Sequence, residues 1–560
     1  MKCINELLKQ KKLLIAFIVL AGIALRFYGL GDRSLWFDES LVVLEASKTL
    51  PEVLSVRAEG IHPPLFRLIL HFLIKKTGTP VLPLDRGLDS GGAVSPGPDG
   101  EDVSPAVMDT VVQGDFNEYI LRLPSVFFSL IAVILVYMLG RVLFGVNIAL
   151  LTAGIMSISA FQVHYAQEIK MYALLQCVSL TSCLLLISAL RSGKRSFWIA
   201  YSLINVLAFY THYFTVLLLA GESIFVLIYF YRRINREFVK YWLGSLFLTV
   251  VLFLPWIMNM SRHLSRVGND FWLSLLTWRQ SIGVFQNFFW GYYTGSAGFI
   301  IGKIDVFILC LLGMFCLCIR SRKIASTGEK EKPSLWDNAD SSLFVLCGAL
   351  IPVLCAIGLS FVFRPVFFDR PLIFTSGFYY LFFSCGLCYL WRKKRIAAFF
   401  LLAVFCGVSW FSLRNYYSDK CFTVSPGVVQ RKPLRKMCAY ITRNYRPDDA
   451  VVLSHHSIVY PLACYLPKQI SGRTYLLEPQ IKDKYERSTL NGMMGTSGVK
   501  FASWRQFSGA CRGLWVICSG WNQEIISLPK DMAEWLSNQK LIRENSEFKG
   551  QKVYYYELKH

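Results

Sequence analysis

Charge is what this chain of 560 residues has little of. Asp, Glu, Lys and Arg together make up 17% of it, against about 25% in a soluble domain. Hydrophobic residues make up 54%. That shortage of charge excludes a disordered chain, and the composition also excludes collagen and coiled coil. The length excludes a small disulfide scaffold, and the apolar content does not suit the three or four soluble domains that the length alone would suggest. A polytopic membrane protein remains.

Acidic charge is scarcer than basic: 37 Asp and Glu against 59 Lys and Arg, a net charge of +22. In a soluble protein that excess would point to nucleic acid, but no recognition motif accompanies it, and membrane proteins concentrate Lys and Arg in their cytoplasmic loops. Nucleic acid is therefore not an expected partner. Compact metal spacing is also lacking. Of the 16 cysteines, Cys177, Cys183, Cys310, Cys316, Cys318, Cys347, Cys355, Cys385, Cys388 and Cys406 lie in apolar segments, where they behave as small hydrophobes. The Cys316/Cys318 and Cys385/Cys388 spacings have no His or second pair beside them and read as packing. Cys421, Cys438, Cys464, Cys511 and Cys518 leave room for one or two disulfides, and their odd number forbids complete pairing.

Long apolar runs are present in number. The first, Leu13 to Leu25, follows a basic N-terminus carrying Lys2, Lys9, Lys11 and Lys12. No small-x-small cleavage site follows it, and Arg26-Phe27-Tyr28 reads as an interfacial anchor, so an uncleaved helix with its N-terminus inside is expected. Further runs lie near 124–143, 148–163, 169–190, 197–211, 213–230, 241–258, 299–319, 341–362, 371–391 and 396–413, which gives about 11 transmembrane helices, several short or tilted. The basic clusters Arg191/Lys194/Arg195, Arg232/Arg233/Arg236/Lys240, Arg320/Arg322/Lys323 and Arg392–Arg395 all fall on the side of the N-terminus. The cytoplasmic excess of Lys and Arg thus fixes one orientation, with the tail outside.

The expected architecture is a transmembrane module over 1–415 and a small extracytoplasmic α/β domain over 416–560. In the tail, Ala450–Leu453, Leu514–Cys518 and Lys552–Leu558 read as strands and Asp531–Asn538 as a helix. His455-His456 follows the first strand; on a strand, adjacent side chains point to opposite faces, which disfavours a shared metal. A first outer loop spans 29–122. Within it, 78–115 is rich in Gly, Pro, Ser and Asp and reads as a solvated acidic linker without an EF-hand pattern.

The residues that carry chemistry gather at one predicted membrane face. Leu35-Trp36-Phe37-Asp38-Glu39-Ser40 places two carboxylates among aromatics just past the first span. A plain helix start explains them equally well, since acids in a first turn complement the dipole of a helix from Leu41 to Leu50. Ile61-His62-Pro63-Pro64 precedes an apolar helix too short to cross, suited to the membrane surface. Arg122-Leu123-Pro124-Ser125 opens the second span. His164, Glu168, Lys170 and Tyr172 cluster near the third and fourth, His212 lies at another outer end, and Arg364 and Arg370 lie at the outer end of the ninth and tenth. Ionisable groups at span ends are costly unless solvated, paired or functional, so this many on one face suggest a site for a charged substrate.

With these motifs in place the sequence resembles the polytopic glycosyltransferases of the C-type membrane fold (GT-C). It is most like bacterial relatives of the protein O-mannosyltransferases and the lipid A aminoarabinose transferases. The likeness rests on Leu35–Ser40, His62-Pro63-Pro64-Leu65, Arg122–Ser125, Gln167-Glu168 with Tyr172, Thr211-His212-Tyr213 and Asp369-Arg370-Pro371, and covers about residues 13–415. Asp369-Arg370-Pro371 stands where relatives often have Arg-Tyr, and the acidic insertion is outside the family pattern.

The resemblance implies transfer of a sugar from a polyprenyl-phosphate donor to a glycan, lipid or protein acceptor at the outer face of the plasma membrane. It implies Asp38 as catalytic base, with Glu39 as runner-up or helper. Arg364, Arg370, Lys170 and Arg122 are the candidates to stabilise the phosphate leaving group, and His62, Glu168, Tyr172 and His212 to bind substrate. No cofactor is called for. A divalent metal could be held by Asp38, His62 and Glu168, but no compact ligand spacing supports one. The alternatives are a surface-polysaccharide polymerase or ligase, which would centre its chemistry on a large mid-chain loop, and a transporter, which would show repeats and midplane charges.

Overall fold

The computed structural model describes residues 2–54, 62–79, 117–233, 236–269, 278–326, 338–362, 366–422, 432–477, 497, 499–507, 510–520 and 525–559. The acidic insertion, from 80 onward, and Arg364 lie outside the described residues. The chain forms two compact units, one of residues 1–28, 62–66 and 122–428, the other of 29–61, 67–121 and 429–560.

The helices are α1 (Lys2–Phe27), α2 (Phe37–Ala46), α3 (Leu50–Leu54), α4 (Leu65–Thr77), α5 (Glu118–Phe144), α6 (Val146–Ile158), α7 (Ala160–Ala166), α8 (Tyr172–Ser192), α9 (Arg195–Thr211) and α10 (Thr215–Arg233). They continue with α11 (Arg236–Asn269), α12 (Trp278–Trp290), α13 (Gly295–Ser326), α14 (Asn338–Val362), α15 (Ile373–Lys393) and α16 (Arg395–Tyr417). The apolar runs expected to span lie largely in helices, because the backbone can satisfy its own hydrogen bonds in lipid only that way, but the run at 148–163 is divided between α6 and α7 and that at 169–190 becomes helical only from Tyr172. Among the described residues seven helices are long and apolar enough to cross a membrane, or eight counting one bent pair. The chain is a multi-pass membrane protein. The runs at 13–25, 197–211 and 299–319 give helices whose apolar stretches are shorter.

The bent pair is α6 and α7, which meet at 61°. Ser159 sits at the break: its Oγ accepts from Gln162 N–H at 3.3 Å and donates to the Phe288 carbonyl at 2.9 Å. A helix end leaves carbonyls without intrahelical partners, and Arg26 takes up two of them. Its Nη1 donates to Ser157 O at 3.1 Å, its Nη2 to Met156 O at 3.3 Å, and its Nε to Ser129 Oγ at 2.8 Å. Arg26 was expected as an interfacial anchor; it is instead fully buried, holding three helices together. The second span also differs from expectation. It begins at Glu118, so Arg122–Ser125 lies inside α5 and Pro124 interrupts its hydrogen-bond ladder rather than opening it.

Two further contacts fix the helices of the first unit. Gly313 of α13 and Gly386 of α15 let the backbones meet: a Cβ on Gly313 would stand 1.9 Å from Phe382 O, and one on Gly386 2.1 Å from Leu309 O. Small residues at helix crossings drive such packing in membranes. Glu222 of α10 is buried, accepting from Tyr201 Oη of α9 at 2.7 Å and from Ser182 Oγ of α8 at 3.1 Å.

The second unit joins α2–α4 to an α/β region with α17 (Leu434–Asn444), α18 (Val459–Tyr465), α19 (Lys468–Ser471) and α20 (Lys530–Ser537). Its strands are β1 (Asp449–Leu453), β2 (Thr474–Leu477), β3 (Lys500–Ala502), β4 (Gly513–Ser519), β5 (Lys540–Asn545) and β6 (Gln551–Glu557). They form one sheet in the order β3-β2-β1-β4-β6-β5. The first four are parallel, and β6 and β5 run antiparallel. β1 and β4 are buried along their whole length, as central strands covered on both faces are. The edge strand β5 is largely exposed and carries Lys540 and Arg543, which blunt the edge.

The strands at 450–453, 514–518 and 552–558 and the helix at 531–538 are present within a residue or two. β2, β3 and β5 were not read from the sequence, being short or charged. His455 and His456 are not on a strand. His455 caps a single helical turn that His456 begins, and their rings stack at 4.1 Å. Cys421, Cys438, Cys464, Cys511 and Cys518 are free thiols. Within the second unit, Glu118 accepts from Arg435 Nη1 at 3.0 Å and Tyr465 Oη at 2.8 Å. Tyr465 Oη in turn accepts from the Leu35 N–H at 2.7 Å.

Candidate functional site

In the first unit the site is built on a tight turn between α7 and α8. Gln167 anchors that turn: its Nε2 donates to the carbonyls of Arg26 at 3.0 Å and Tyr28 at 2.8 Å, and its Oε1 accepts from Tyr416 Oη at 2.8 Å. The turn closes when the Lys170 N–H reaches Glu168 O at 2.8 Å. Lys170 O then accepts from Ser125 Oγ of α5 at 3.3 Å. Arg122 lies three residues before Ser125 and shares its helix face. Arg122, Glu168, Lys170 and Tyr172 are all buried.

A second element brings Arg370 to the same place. Asp369 caps the short helical turn Arg370–Leu372, accepting from the Arg370 N–H at 2.8 Å and from Asn287 Nδ2 at 2.6 Å. Burial pushes the Asp369 carboxyl up, opposed by hydrogen bonds from Asn287 and Tyr292 and by the Arg370 charge. The Arg370 guanidinium lies 6.0 Å from the centre of the Tyr172 ring and 5.6 Å from that of Phe368, within reach of a cation–π attraction.

His62 and His212 complete the group. Their ring centres are 5.1 Å apart, and Tyr172 lies 6.3 Å from His212. His212 is pushed down to about 3, first by burial and then by the charges of Lys170 and Arg370, so its ring is neutral. The structure therefore brings together His62, Lys170, Tyr172, His212 and Arg370. His164 is set apart: its Nδ1 pairs with Tyr293 Oη at 2.7 Å, and Tyr165, Tyr292 and Tyr416 surround its ring.

Asp38 and Glu39 belong to the second unit. Both sit in the first turn of α2, which starts at Phe37 rather than Leu41. Glu39 is fully buried, and its Oε2 accepts from the Trp36 N–H at 3.5 Å, the reach-back that marks a helix start. Asp38 is half-buried. Among the described residues, no three His, Cys, Asp or Glu side chains gather as a metal-holding set. Asp369 and Gln167 were not singled out as site residues. Both sit inside the motifs that were read, and only the folded turns reveal them as the supports of Arg370 and Lys170.

Residues 108–258, a little over a quarter of the chain, match the family model described as dolichyl-phosphate-mannose-protein mannosyltransferase. No curated protein matches the sequence significantly. Among solved structures, ArnT from Cupriavidus metallidurans in the apo state aligns over 97% of both chains with a TM-score of 0.57 at 11% identity. The same protein bound to undecaprenyl phosphate aligns over 97% of both chains, with a TM-score of 0.55 at 10% identity. The chain has the GT-C fold. In this GT-C chain the matched segment holds α5 to α10, and with them Arg122, the Glu168–Tyr172 turn and His212.

Proposed function

We propose that the protein is a membrane glycosyltransferase that moves a sugar from a polyprenyl-phosphate donor to a hydroxyl or phosphate acceptor at the extracytoplasmic face. The observation that carries this reading is the buried cationic group, Arg370 with Lys170 beside Tyr172 and a neutral His212. Cations aimed at a departing phosphate stabilise the charge that grows on it. The mannosyltransferase family match over 108–258 and the fold shared with ArnT, which has been solved with undecaprenyl phosphate, support a lipid-linked phosphate as the group they meet.

In this mechanism the acceptor oxygen attacks the sugar C1 in line, opposite the donor phosphate, and the C1–O bond to phosphate breaks with inversion. The polyprenyl phosphate leaves carrying the bonding electron pair. Arg370, Arg364, Lys170 and Arg122 stabilise the charge that grows on it, which accelerates the step because they act most strongly in the transition state. Asp38 takes the acceptor's proton as general base. Its support is the sequence resemblance and its half-exposed carboxylate. Glu39 orders the turn around it, while His62, Glu168, Tyr172 and His212 position the substrates. The basic loops support a cytoplasmic N-terminus and an extracytoplasmic tail domain.

The test is transfer from a defined polyprenyl-phosphate sugar by purified protein. Asp38→Asn is expected to abolish transfer while expression and membrane insertion stay normal; near wild-type transfer would remove the base assignment. A deletion strain is expected to accumulate the lipid-linked sugar. A deletion strain that shows no accumulation and no altered glycan would overturn the transferase reading.

A further inference from the structure

The sheet of the second unit has a feature that the proposed transfer reaction does not use. From β1 the chain moves outward to β2 and β3, then returns to the other side of β1 as β4. The strand order therefore reverses between β1 and β4, both parallel. In open α/β sheets the crevice outside the carboxyl ends of such strands is where ligands bind.

Polar groups converge on that edge. β1 runs into Ser454-His455-His456-Ser457, and β4 ends at Ser519-Gly520. Lys432 Nζ donates to Ser519 Oγ at 2.7 Å and to the Gly520 carbonyl. Ser457 Oγ donates to the same carbonyl at 3.3 Å, and Ser519 N–H donates to Ser454 Oγ at 3.2 Å. His455 Nδ1 accepts from the Ser457 N–H at 3.1 Å, which leaves the proton of the neutral ring on Nε2, directed away from that bond. His455 and His456 stack and are half-buried.

The charge balance of this edge is incomplete. Lys432 is 8% exposed, and both its hydrogen-bond partners are neutral oxygens. Among the described residues no carboxylate pairs with it. Burial pushes it down to about 8, and burial, then His456, then Lys432 push His455 down to about 3. A buried ammonium held only by neutral acceptors is paid for when an anion is present. Lys432 uses two of its three N–H groups in these bonds, and an ammonium beside two imidazole rings suits a group with several acceptor oxygens.

We propose that the crevice at the carboxyl ends of β1 and β4 is a phosphate-binding site formed by Lys432, His455, His456 and Ser457, taking phosphate either free or as an ester on a larger molecule. This site stands or falls independently of the transfer reaction. It adjoins α2 within the same unit, because the ring of Phe37 lies 6.5 Å from that of His456 and 4.8 Å from that of Tyr460.

The test uses the full-length protein in detergent with its eight histidines carrying a carbon-13 label in the ring. Inorganic phosphate is titrated against chloride at constant ionic strength. The His455 and His456 signals, assigned with His455→Gln and His456→Gln, are expected to shift saturably. Lys432→Met is expected to weaken that binding at least tenfold and Lys432→Arg to retain it. Arg370→Ala is expected to leave it unchanged, because phosphate at Arg370 would move His62 and His212 instead. Tighter binding of glycerol 1-phosphate than of inorganic phosphate would identify the ligand as an ester, and the reverse as the free anion. Shifts that do not saturate, or equal affinity in wild type and Lys432→Met, would overturn the proposal. Should Lys432→Met fail to fold, His456→Gln provides the second reading, and unchanged affinity there overturns it too.

Discussion

His62 and His212, 150 positions apart in the sequence, meet with their ring centres 5.1 Å apart. The neutrality of His212 has a consequence for stability. Its value falls from 6.5 in the unfolded chain to about 3 in the fold. Between those limits the unfolded chain binds the extra proton, so stability is full above about 6.5 and is lost as pH falls toward 3. Thermal unfolding of the wild type is expected to shift to lower temperature between pH 7 and pH 5. In His212→Asn that shift should shrink, and an equal shift in both proteins would contradict the neutral ring.

Arg370 faces two aromatic rings, Tyr172 and Phe368. A lysine there would keep the charge but lose the planar fork and the stacking. Donor titrations are expected to give a KM raised several-fold in Arg370→Lys. In Arg370→Ala, kcat/KM should fall by about a hundredfold, the order seen when one charge-stabilising donor is removed. An unchanged kcat/KM for the donor in both variants would separate Arg370 from the phosphate.

The Gly313–Gly386 crossing leaves no room for a methyl group. Gly313→Ala and Gly386→Ala should each force α13 and α15 apart. The cost is about 1–3 kcal/mol, the usual penalty of overpacking, read as lowered unfolding temperature and yield. Gly407→Ala is the control: a Cβ there meets nothing within 4 Å, and stability should hold or rise slightly.

Glu222 is expected to act through its hydrogen bonds to Tyr201 and Ser182 rather than through its charge. Glu222→Gln keeps an acceptor and should lose under about 1 kcal/mol, whereas Glu222→Ala strands the buried Tyr201 hydroxyl, Ser182 still reaching Asn205 Oδ1 at 2.9 Å, and should lose about 1–3 kcal/mol. Denaturation in mild detergent ranks the two. A Gln variant as unstable as Ala would show that the charge matters.

The helical scaffold was legible because lipid leaves little choice: a run of apolar residues must fold as a helix, and its composition reports its presence. Helix starts were less legible. Asp38 and Glu39 suggested a helix from Leu41, but the chain turns at Phe37, where Trp36 N–H meets the Glu39 carboxylate. Arg26 looked like an anchor because its position beside Phe27 and Tyr28 is ordinary for one. Its real partners, Ser157 and Met156, are exposed as acceptors only by the break at Ser159, some 130 residues away. In the candidate site, Lys170, Tyr172, His212 and Arg370 were named from the sequence, while their supports Gln167 and Asp369 were not. Supports act through hydrogen bonds to distant elements, which no local spacing encodes.

The sequence by itself determined that this is a multi-pass helical membrane protein with an α/β tail, because hydropathy and period are local properties that water and lipid read directly. It also marked the ionisable residues that lipid would not tolerate without a purpose. Only the tertiary structure decided which of them meet. It set Arg370 against Tyr172, made His212 neutral beside Lys170, and stacked His455 on His456 near Lys432 where the strand order reverses. Each of these depends on burial and on contacts between segments far apart in the chain, and both are products of packing rather than of spacing.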